Sequence, residues 1–396
     1  MTTRDLGHDA PPRVSFYNDP VIRGIIYQAI VFAILIGFIG WIINNTAINL
    51  AAQNKTTGFD FLWKTAGFDI GFSLLPWSRA SFYWEAFLVG ILNTLLVAFI
   101  GIIFATLLGF TIGIARLSSN FIVSSLATIY VEVIRNIPLL LQLFFWYFAV
   151  LKAMPAVRDS IMLPFDSFIN QRGIMVPRPI PDEQFGFTWI GIALAIGAII
   201  ALRVWAKRRL EATGQRFPVF LTGLAILIVV PTIIFIVSGA SVTFQIPVLE
   251  RFNFKGGLQI PPEFAALLFG LTIYTAAFIA ETVRGGIQAV SSGQTEAAQS
   301  LGLKENDRLR LVIVPQAMRV IIPPLTSQYL NLTKNSSLGA AIGYQELFNV
   351  FGGTALNQTG RAIECIAMVM LVYLTFSLLT SLLMNWYNAR VKLVER

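Results

Sequence analysis

The sequence predicts an all-α integral membrane protein with about eight transmembrane helices, and three observations carry that prediction. Of 396 residues, 56% are hydrophobic and only 13% are charged, with a mean hydropathy of +0.70. A soluble protein carries about 25% charged residues and cannot hide this much apolar surface in one core. Apolar runs of the roughly 20 residues needed to cross a bilayer recur along the chain. Lipid-facing strands would instead alternate apolar and polar residues over about 10 positions, a pattern this chain does not follow. Helices satisfy every backbone N–H and C=O within the segment, which the hydrocarbon core requires.

The runs fall near 22–43, 87–113, 136–153, 188–205, 217–238, 264–283, 319–347 and 361–387, the third and seventh broken by polar residues or proline. The first follows a polar arm and has no small-residue cleavage site, so it reads as a retained span and not as a signal peptide. Residues 1–86 then comprise an arm, a helix and an external loop. Residues 87–388 form a membrane domain of the other seven spans, two of them within about 154–262. Within that domain 284–318 is a long wet connection, and 389–396 is a tail.

Orientation follows from lysine and arginine, which accumulate in short cytoplasmic loops. The stretch RVWAKRRLEATGQR holds Arg203, Lys207, Arg208, Arg209 and Arg216 against Glu211 and is therefore cytoplasmic. An even number of spans puts the loop 284–318 and both termini on the same side. The arm (Arg4, Arg13, Arg23) and the tail (Arg390, Lys392, Arg396) are basic, while the loops 45–86 and 152–187 are charge-balanced. The net charge of +8 thus reports topology and not a nucleic-acid partner. A single cysteine, Cys365, and a single histidine, His8, predict neither a disulfide nor a metal site. No Walker A pattern occurs, so this chain does not itself cradle ATP phosphates.

The wet connection contains EAAQSLGLKENDRLRLVIVP at 296–315. GQTEAAQSLGL reads as a helix capped by Thr295 or Gln294, with Glu296 in its first turn and Gly302 at its end. NDRLRLVIV reads as a second helix, capped by Asn306 or Asp307, with Pro315 just beyond. Ala297 and Ala298 give the first helix a small face that fits a groove on another protein; a plain solvated loop is the alternative.

This segment resembles the cytoplasmic coupling motif of ABC importer permeases. Glu296-Ala297-Ala298, three residues, Gly302, nine residues, then Val312, Val314 and Pro315 reproduce its spacing, with valines where isoleucine and leucine are usual. VEVIRNIPLLLQLFFWYF at 131–148, AAFIAETVRGGIQAVSSGQTEAA at 276–298 and LTKNSSLGAAIGYQEL at 332–347 are similar to the polar amino-acid branch, the histidine- and glutamine-type permeases. The resemblance covers about 87–388, interrupted by an insertion at about 154–262 that adds two helices and preceded by an extra N-terminal helix, and the enlarged chain looks most like a permease subunit of the general L-amino-acid importers of Gram-negative bacteria.

The resemblance implies a type I ABC importer core in a bacterial inner membrane, with no catalytic residue, metal or cofactor of its own. It further implies a second, different permease chain, an ABC ATPase dimer carrying ATP and magnesium, and a periplasmic amino-acid-binding protein. Glu296, Ala297, Ala298, Gly302, Leu303 and Pro315 would couple to the ATPase. Neutral Asn335 stands where the branch commonly has aspartate, which suits a broad substrate range.

Polar residues inside spans are costly and mark candidate substrate contacts. Gln328, Asn331 and Asn335 fall at offsets of three and four, one helical stripe, and Ser336 begins a stretch that can unwind. Tyr274 and Glu281 share a face of the preceding span; Asn93, Thr94 and Gln142 complete the set. For each the plain alternative is a hydrogen bond between helices, worth about 0.6 kcal/mol. Arg135 and Glu132 fit the cytoplasmic interface better than the path.

An ion-coupled secondary transporter would show inverted repeats and mid-span acids; no convincing repeat is present, and acidic residues are nearly absent from mid-span. A respiratory-complex subunit would need histidine pairs that a lone His8 cannot supply. A permease for opines or another polar solute shares the coupling motif. In a Cys365→Ser background, externally added thiol reagent should label engineered cysteines near 60 and 170. Labelling near 210 or 305 instead would overturn the topology.

Overall fold

The computed structural model describes residues 20–52, 58–215 and 217–391. Arg4, His8, Arg13, Arg216, Lys392 and Arg396 lie outside these residues. Among the described residues seven helices are long and apolar enough to cross a membrane, and a bent pair supplies an eighth crossing. The helices are α1 (Pro20–Ala52), α2 (Tyr83–Ala115), the bent pair α3 (Phe121–Asn136) and α4 (Leu139–Phe144), α5 (Gly186–Thr213) and α6 (Val219–Val237). They continue with α7 (Pro262–Gln288), the short α8 (Ser292–Ser300) and α9 (Glu305–Arg308), α10 (Val314–Asn335), the short α11 (Leu356–Thr359) and α12 (Ala362–Val391).

Lipid offers helices no hydrophobic reason to associate, so packing depends on close approach of small residues. On α2, Gly101, Ala105, Gly109 and Gly113 recur every fourth position and form one ridge. A Cβ at Gly109 would lie 2.6 Å from Ile279 Cβ, and one at Gly113 would lie 2.8 Å from Ala280 O and Val283 Cβ. The two helices therefore run parallel with backbones nearly touching. Around this seam α7 is the central element, with Ala265, Ala266, Ala276, Ala277 and Ala280 all buried.

The third crossing is broken at Asn136-Ile137-Pro138, where the residue before proline is extended (φ −101°, ψ 128°). The chain turns by 105° between α3 and the stretch Leu139–Leu151, whose second half, Phe145–Leu151, is a π-helix. Gln142 Nε2 caps the bend by donating to Ile134 O and Ile137 O, both at 2.9 Å.

After α10 the backbone tightens into a 3₁₀ segment, Ser336–Ile342, and a π-helical segment, Phe348–Ala355, precedes α11. The backbone between them is held by α2. Thr94 Oγ1 accepts from Leu347 N at 3.1 Å, and Asn93 Nδ2 donates to Gln345 O and Phe72 O at 2.9 Å each. The fully buried Glu346 carboxylate accepts from Phe348 N, Asn349 N and Tyr373 Oη, each at 2.8 Å, and so ties the segment to α12.

Residues 58–82, expected as an external loop, fold onto this end of the bundle, opposite the wet connection. Phe61, Ala66 and Ile70 are buried there, and Arg361 donates to Gly58 O and Asp60 Oδ1 at 2.7 Å each.

The spans are all helical, but the two inserted loops contain eight short strands. These are β1 (Ile161–Leu163), β2 (Ser167–Asn170), β3 (Gly173–Val176), β4 (Arg178–Pro181), β5 (Val242–Gln245), β6 (Val248–Glu250), β7 (Asn253–Lys255) and β8 (Leu258–Ile260). An antiparallel sheet of order β1-β2-β3-β8 joins the two loops with Ile174 opposite Ile260, and β4 pairs with β5 with Ile180 opposite Thr243. Asp182 fastens them again, accepting from Ser241 N (2.7 Å), Ser241 Oγ (2.9 Å) and Phe185 N (2.9 Å). Desolvation alone would raise its pKa, yet these hydrogen bonds outweigh it and hold the carboxyl below the usual range.

Between these loops α5 and α6 pack on each other, with Gly191 against Pro231 and Ile234. No residue of Ile22–Thr46 in α1 is buried.

Overpacking a tight seam costs about 1–3 kcal/mol or more. Gly109→Leu should therefore lower the thermal stability of the detergent-solubilised protein, followed by size-exclusion recovery after heating. Gly285→Ala, where a Cβ meets nothing within 4 Å, should leave the recovery curve unchanged.

Candidate functional site: the wet helical handle and the polar faces of the bundle

The handle begins as α7 ends. Ser291 caps α8, its Oγ accepting from Gly293 N at 3.3 Å, so the cap lies three or four residues before the expected Gln294 or Thr295. At the far end Gly302 is left-handed (φ +72°). Gly302 N donates to Gln299 O (2.8 Å) and Leu303 N to Ala298 O (3.2 Å), the paired closure that satisfies the last helical carbonyls. Nothing lies within 4 Å of a Cβ built at Gly302, so within this chain glycine is required by conformation and not by space.

The return arm differs from a second isolated helix. Lys304 stands at the cap position where Asn306 or Asp307 was expected, α9 follows, and a π-helical turn, Leu309–Ile313, runs straight into α10. Pro315 lies in the first turn of α10, inside a continuous helical path. A proline ring clashes with the carbonyl four residues earlier, and the wider π turn directly before it relieves that clash. The handle and α10 are thus joined without a break in the helical path.

One side of the handle anchors it and the other is bare. Ala298 and Ile313 are buried, Leu303 is half-buried, and Gln316 Nε2 donates to Gln294 Oε1 at 3.1 Å. Glu296 and Ala297 are exposed, and the Glu296 carboxylate makes no hydrogen bond or ion pair among the described residues. Beside them Leu301 is 81% exposed and Leu311 62% exposed. Neither leucine was singled out from sequence; the signal was their apolar character in a charged loop.

The candidate path residues divide into three groups. Asn93, Thr94, Gln142 and Ser336 are buried and engaged with backbone: the first three at the contacts given above, Ser336 Oγ donating to Thr333 O at 2.7 Å. Asn93 Oδ1 and Gln142 Oε1 have no partner among the described residues.

Glu281 sits in an ionic knot. It accepts from Arg116 and from Arg284 (2.5 Å), lies 3.9 Å from Arg135, and Arg116 also faces Glu132 at 3.7 Å. Arg135 stacks on Phe278, whose ring also meets Tyr274. The Arg116 side chain is only 8% exposed, so removal of Glu281 would leave a nearly buried cation with only the longer Glu132 contact. This knot joins α2, α3 and α7 just before the handle.

The third group stays open. Asn331 is exposed and Gln328 and Asn335 are half-buried on α10, with Ser327 and Lys334 exposed beside them. A polar stripe with a lysine has no place against lipid tails, so it faces water or another protein surface. Pro323 and Pro324 lie one turn before the stripe and remove two helical hydrogen bonds.

The family described as binding-protein-dependent transport system inner membrane component matches residues 191–393. The general L-amino acid transport system permease protein AapQ of Rhizobium johnstonii is 53% identical over 378 residues, 96% of this chain and 94% of that one. The putative amino-acid ABC transporter permease protein YhdX of Escherichia coli is 47% identical over 383 residues, 97% of each chain. The glutamate/glutamine/aspartate/asparagine transport system permease protein BztB of Rhodobacter capsulatus is 42% identical over 422 aligned positions, 98% of this chain and 99% of that one. The bare handle, the polar stripe and these full-length likenesses agree: the chain belongs to the binding-protein-dependent inner membrane components, the permease subunits of ABC importers.

Proposed function

We propose that this permease imports a broad range of L-amino acids, that α8 seats in a groove of an ABC ATPase subunit, and that the stripe Gln328, Asn331 and Asn335 lines the path. The observation that carries the reading is the handle: an exposed apolar edge in water, closed by a left-handed glycine and continuous with a membrane helix. Exposed Leu301 needs a protein cover on the aqueous side, and the ATPase provides it. ATP and magnesium stay on that partner. Its closure pulls α8, the π turn passes the motion into α10, and the polar stripe changes its exposure. The ATPase thus acts as a ligand that contacts two states of one bundle differently.

A second, different permease chain faces the α10 stripe and completes the path between them. The handle end and the basic loop after α5 lie in the cytoplasm with both termini, and the β layer faces the periplasm, where it adds surface for docking of the binding protein. The full-length relatives named for amino-acid transport support the cargo class.

A left-handed conformation costs a residue with a Cβ roughly 1–2 kcal/mol, too little to unfold the bundle. Gly302→Asp should keep near-normal membrane abundance, lose most co-purifying ATPase and abolish uptake. Glu296→Gln should be milder. Normal uptake by Gly302→Asp in matched membranes would sink the coupling role.

A carboxylate in a low-dielectric path attracts a second positive charge. Asn335→Asp should shift competition uptake severalfold toward lysine over leucine. Equal losses for both would mean damaged packing and remove Asn335 from the path.

A further inference from the structure

Where the inserted β layer meets the outer end of the bundle, a cavity of about 390 Å³ opens to the surface. Lys152 follows the π-helical half of the third crossing, and Glu263 opens α7. Arg172 lies in the turn between β2 and β3, and Gln259 lies in β8. Tyr344 and Gln345 form another wall directly after the 3₁₀ segment that continues α10. The cavity therefore lies at the outward end of the element that carries the polar stripe.

The hydrogen-bond inventory shows what the cavity still offers. Glu263 Oε1 is occupied: Tyr147 Oη donates to it at 2.7 Å, and Lys152 Nζ lies 3.6 Å away. Oε2 has no partner among the described residues. Gln259 Nε2 is used on Arg172 O at 2.9 Å, which leaves its amide oxygen as an acceptor. Both ends of the Gln345 amide are used, Oε1 by Gly71 N at 2.6 Å and Nε2 on Asp69 O at 3.0 Å, so this side chain shapes the wall. The Tyr344 hydroxyl donates to Asn93 O at 3.2 Å, which leaves its ring as an apolar surface.

On the donor side, Arg172 gives an N–H to Asn253 Oδ1 and retains others of its five, and Lys152 retains ammonium protons. The lining thus offers two cations, and Glu263 Oε2 with Gln259 Oε1 offers two acceptors. The Lys152 and Glu263 side chains are 40% and 24% exposed, so their pair is weak and opens to a ligand at little cost.

We infer that this cavity is an acceptor site for the zwitterionic head group of a free α-amino acid, the carboxylate on Lys152 and Arg172 and the ammonium on Glu263 and Gln259. The size falls within the roughly 300–1,000 Å³ of small-molecule sites and leaves room beyond the head group for the side chain. Reading the head group and not the side chain gives a broad range, as a handover point between a binding protein and the path requires. The inference rests on the amino-acid reading for its cargo. Its walls, however, share no residue with the α10 stripe.

The test is equilibrium binding of radiolabelled L-leucine and L-glutamine to the purified transporter complex in lipid nanodiscs, without binding protein or nucleotide. Both should bind with affinities within a few-fold of each other. Leucinamide and N-acetyl-leucine, each lacking one head-group charge, should fail to compete. Glu263→Gln and Lys152→Gln should weaken binding at least tenfold. Arg172→Gln, on an exposed turn remote from the core packing, should weaken it several-fold with the fold intact. Arg178→Gln, at an exposed side chain of β4 outside both the cavity and the stripe, should leave binding unchanged.

Full binding in Glu263→Gln, Lys152→Gln and Arg172→Gln overturns the site, as does competition by N-acetyl-leucine. Loss of binding only in Asn331→Ala assigns the amino acid to the stripe and refutes the cavity while sparing the import reading. Transport of leucine without measurable binding to the complex does the same. A complex that neither binds nor transports any amino acid brings down the import reading, and this site with it. Weakened stimulation by the binding protein in Arg172→Gln, with amino-acid binding intact, would make the cavity a docking contact and refute the proposal.

Discussion

Everything in the bundle is referenced to the seam between α2 and α7. In hydrocarbon, apolar surface has nothing to gain by leaving the solvent, so only contact distance and polar pairing hold helices together. Gly109 and Gly113 bring the α2 backbone onto Ile279, Ala280 and Val283, and the other core elements lean on the rod that results. Tyr130 of α3 donates to Ile273 O at 2.7 Å, and Leu143 and Trp146 of the broken crossing cover Gly270. α10 crosses on Gly286 through Ile321. The ionic knot of Glu281 and Arg116 fixes the handle end of the same seam, and Glu263 with Lys152 stands at the opposite end.

A rigid rod permits irregular backbone nearby. The chain leaves α-helical geometry at Phe145–Leu151, Leu309–Ile313, Ser336–Ile342 and Phe348–Ala355. Non-helical backbone at membrane depth survives only where protein or water satisfies its polar groups. Thr94, Asn93 and Glu346 do this for the stretch after α10, which explains why buried polar residues of α2 look like pathway residues in the sequence while serving the backbone. The π turn before Pro315 joins the short α9 to α10 at a proline that a regular α-helix accommodates poorly.

Spans and handle were legible in the sequence because their signals are strong and periodic. Twenty-residue apolar runs, a helix-stopping glycine and alanines beside a carboxylate need no tertiary context. The strands were not legible. They are three or four residues long, and their turns place Phe165, Asp166 and Arg251 at positive φ where glycine or asparagine would have announced a hairpin. Their pairing also joins segments about 85 residues apart, Ile174 with Ile260, which no local pattern encodes. The helix starts differ for two reasons: Ser291, a better cap than Gln294 or Thr295, lies a turn before the EAA run, and Lys304 starts α9 with no capping side chain for a pattern to reveal. Glu281 read as a path candidate because most of its knot is not local: Arg284 stands three positions on, but Arg116 lies 165 positions away.

The join between Asp182 and Ser241 has a consequence for how such a chain can grow. Asp182 N donates to Ser241 O at 3.2 Å, so the two residues that bracket the α5 and α6 hairpin already touch. A segment whose ends meet can be spliced out or in without stretching what remains. Two crossings are gained or lost together, so the direction of every later helix, including the parallel run of α7 beside α2, is preserved. The hairpin is in that sense a removable module, and a lineage could acquire or discard it in one genetic event without reversing the membrane orientation of the machinery downstream.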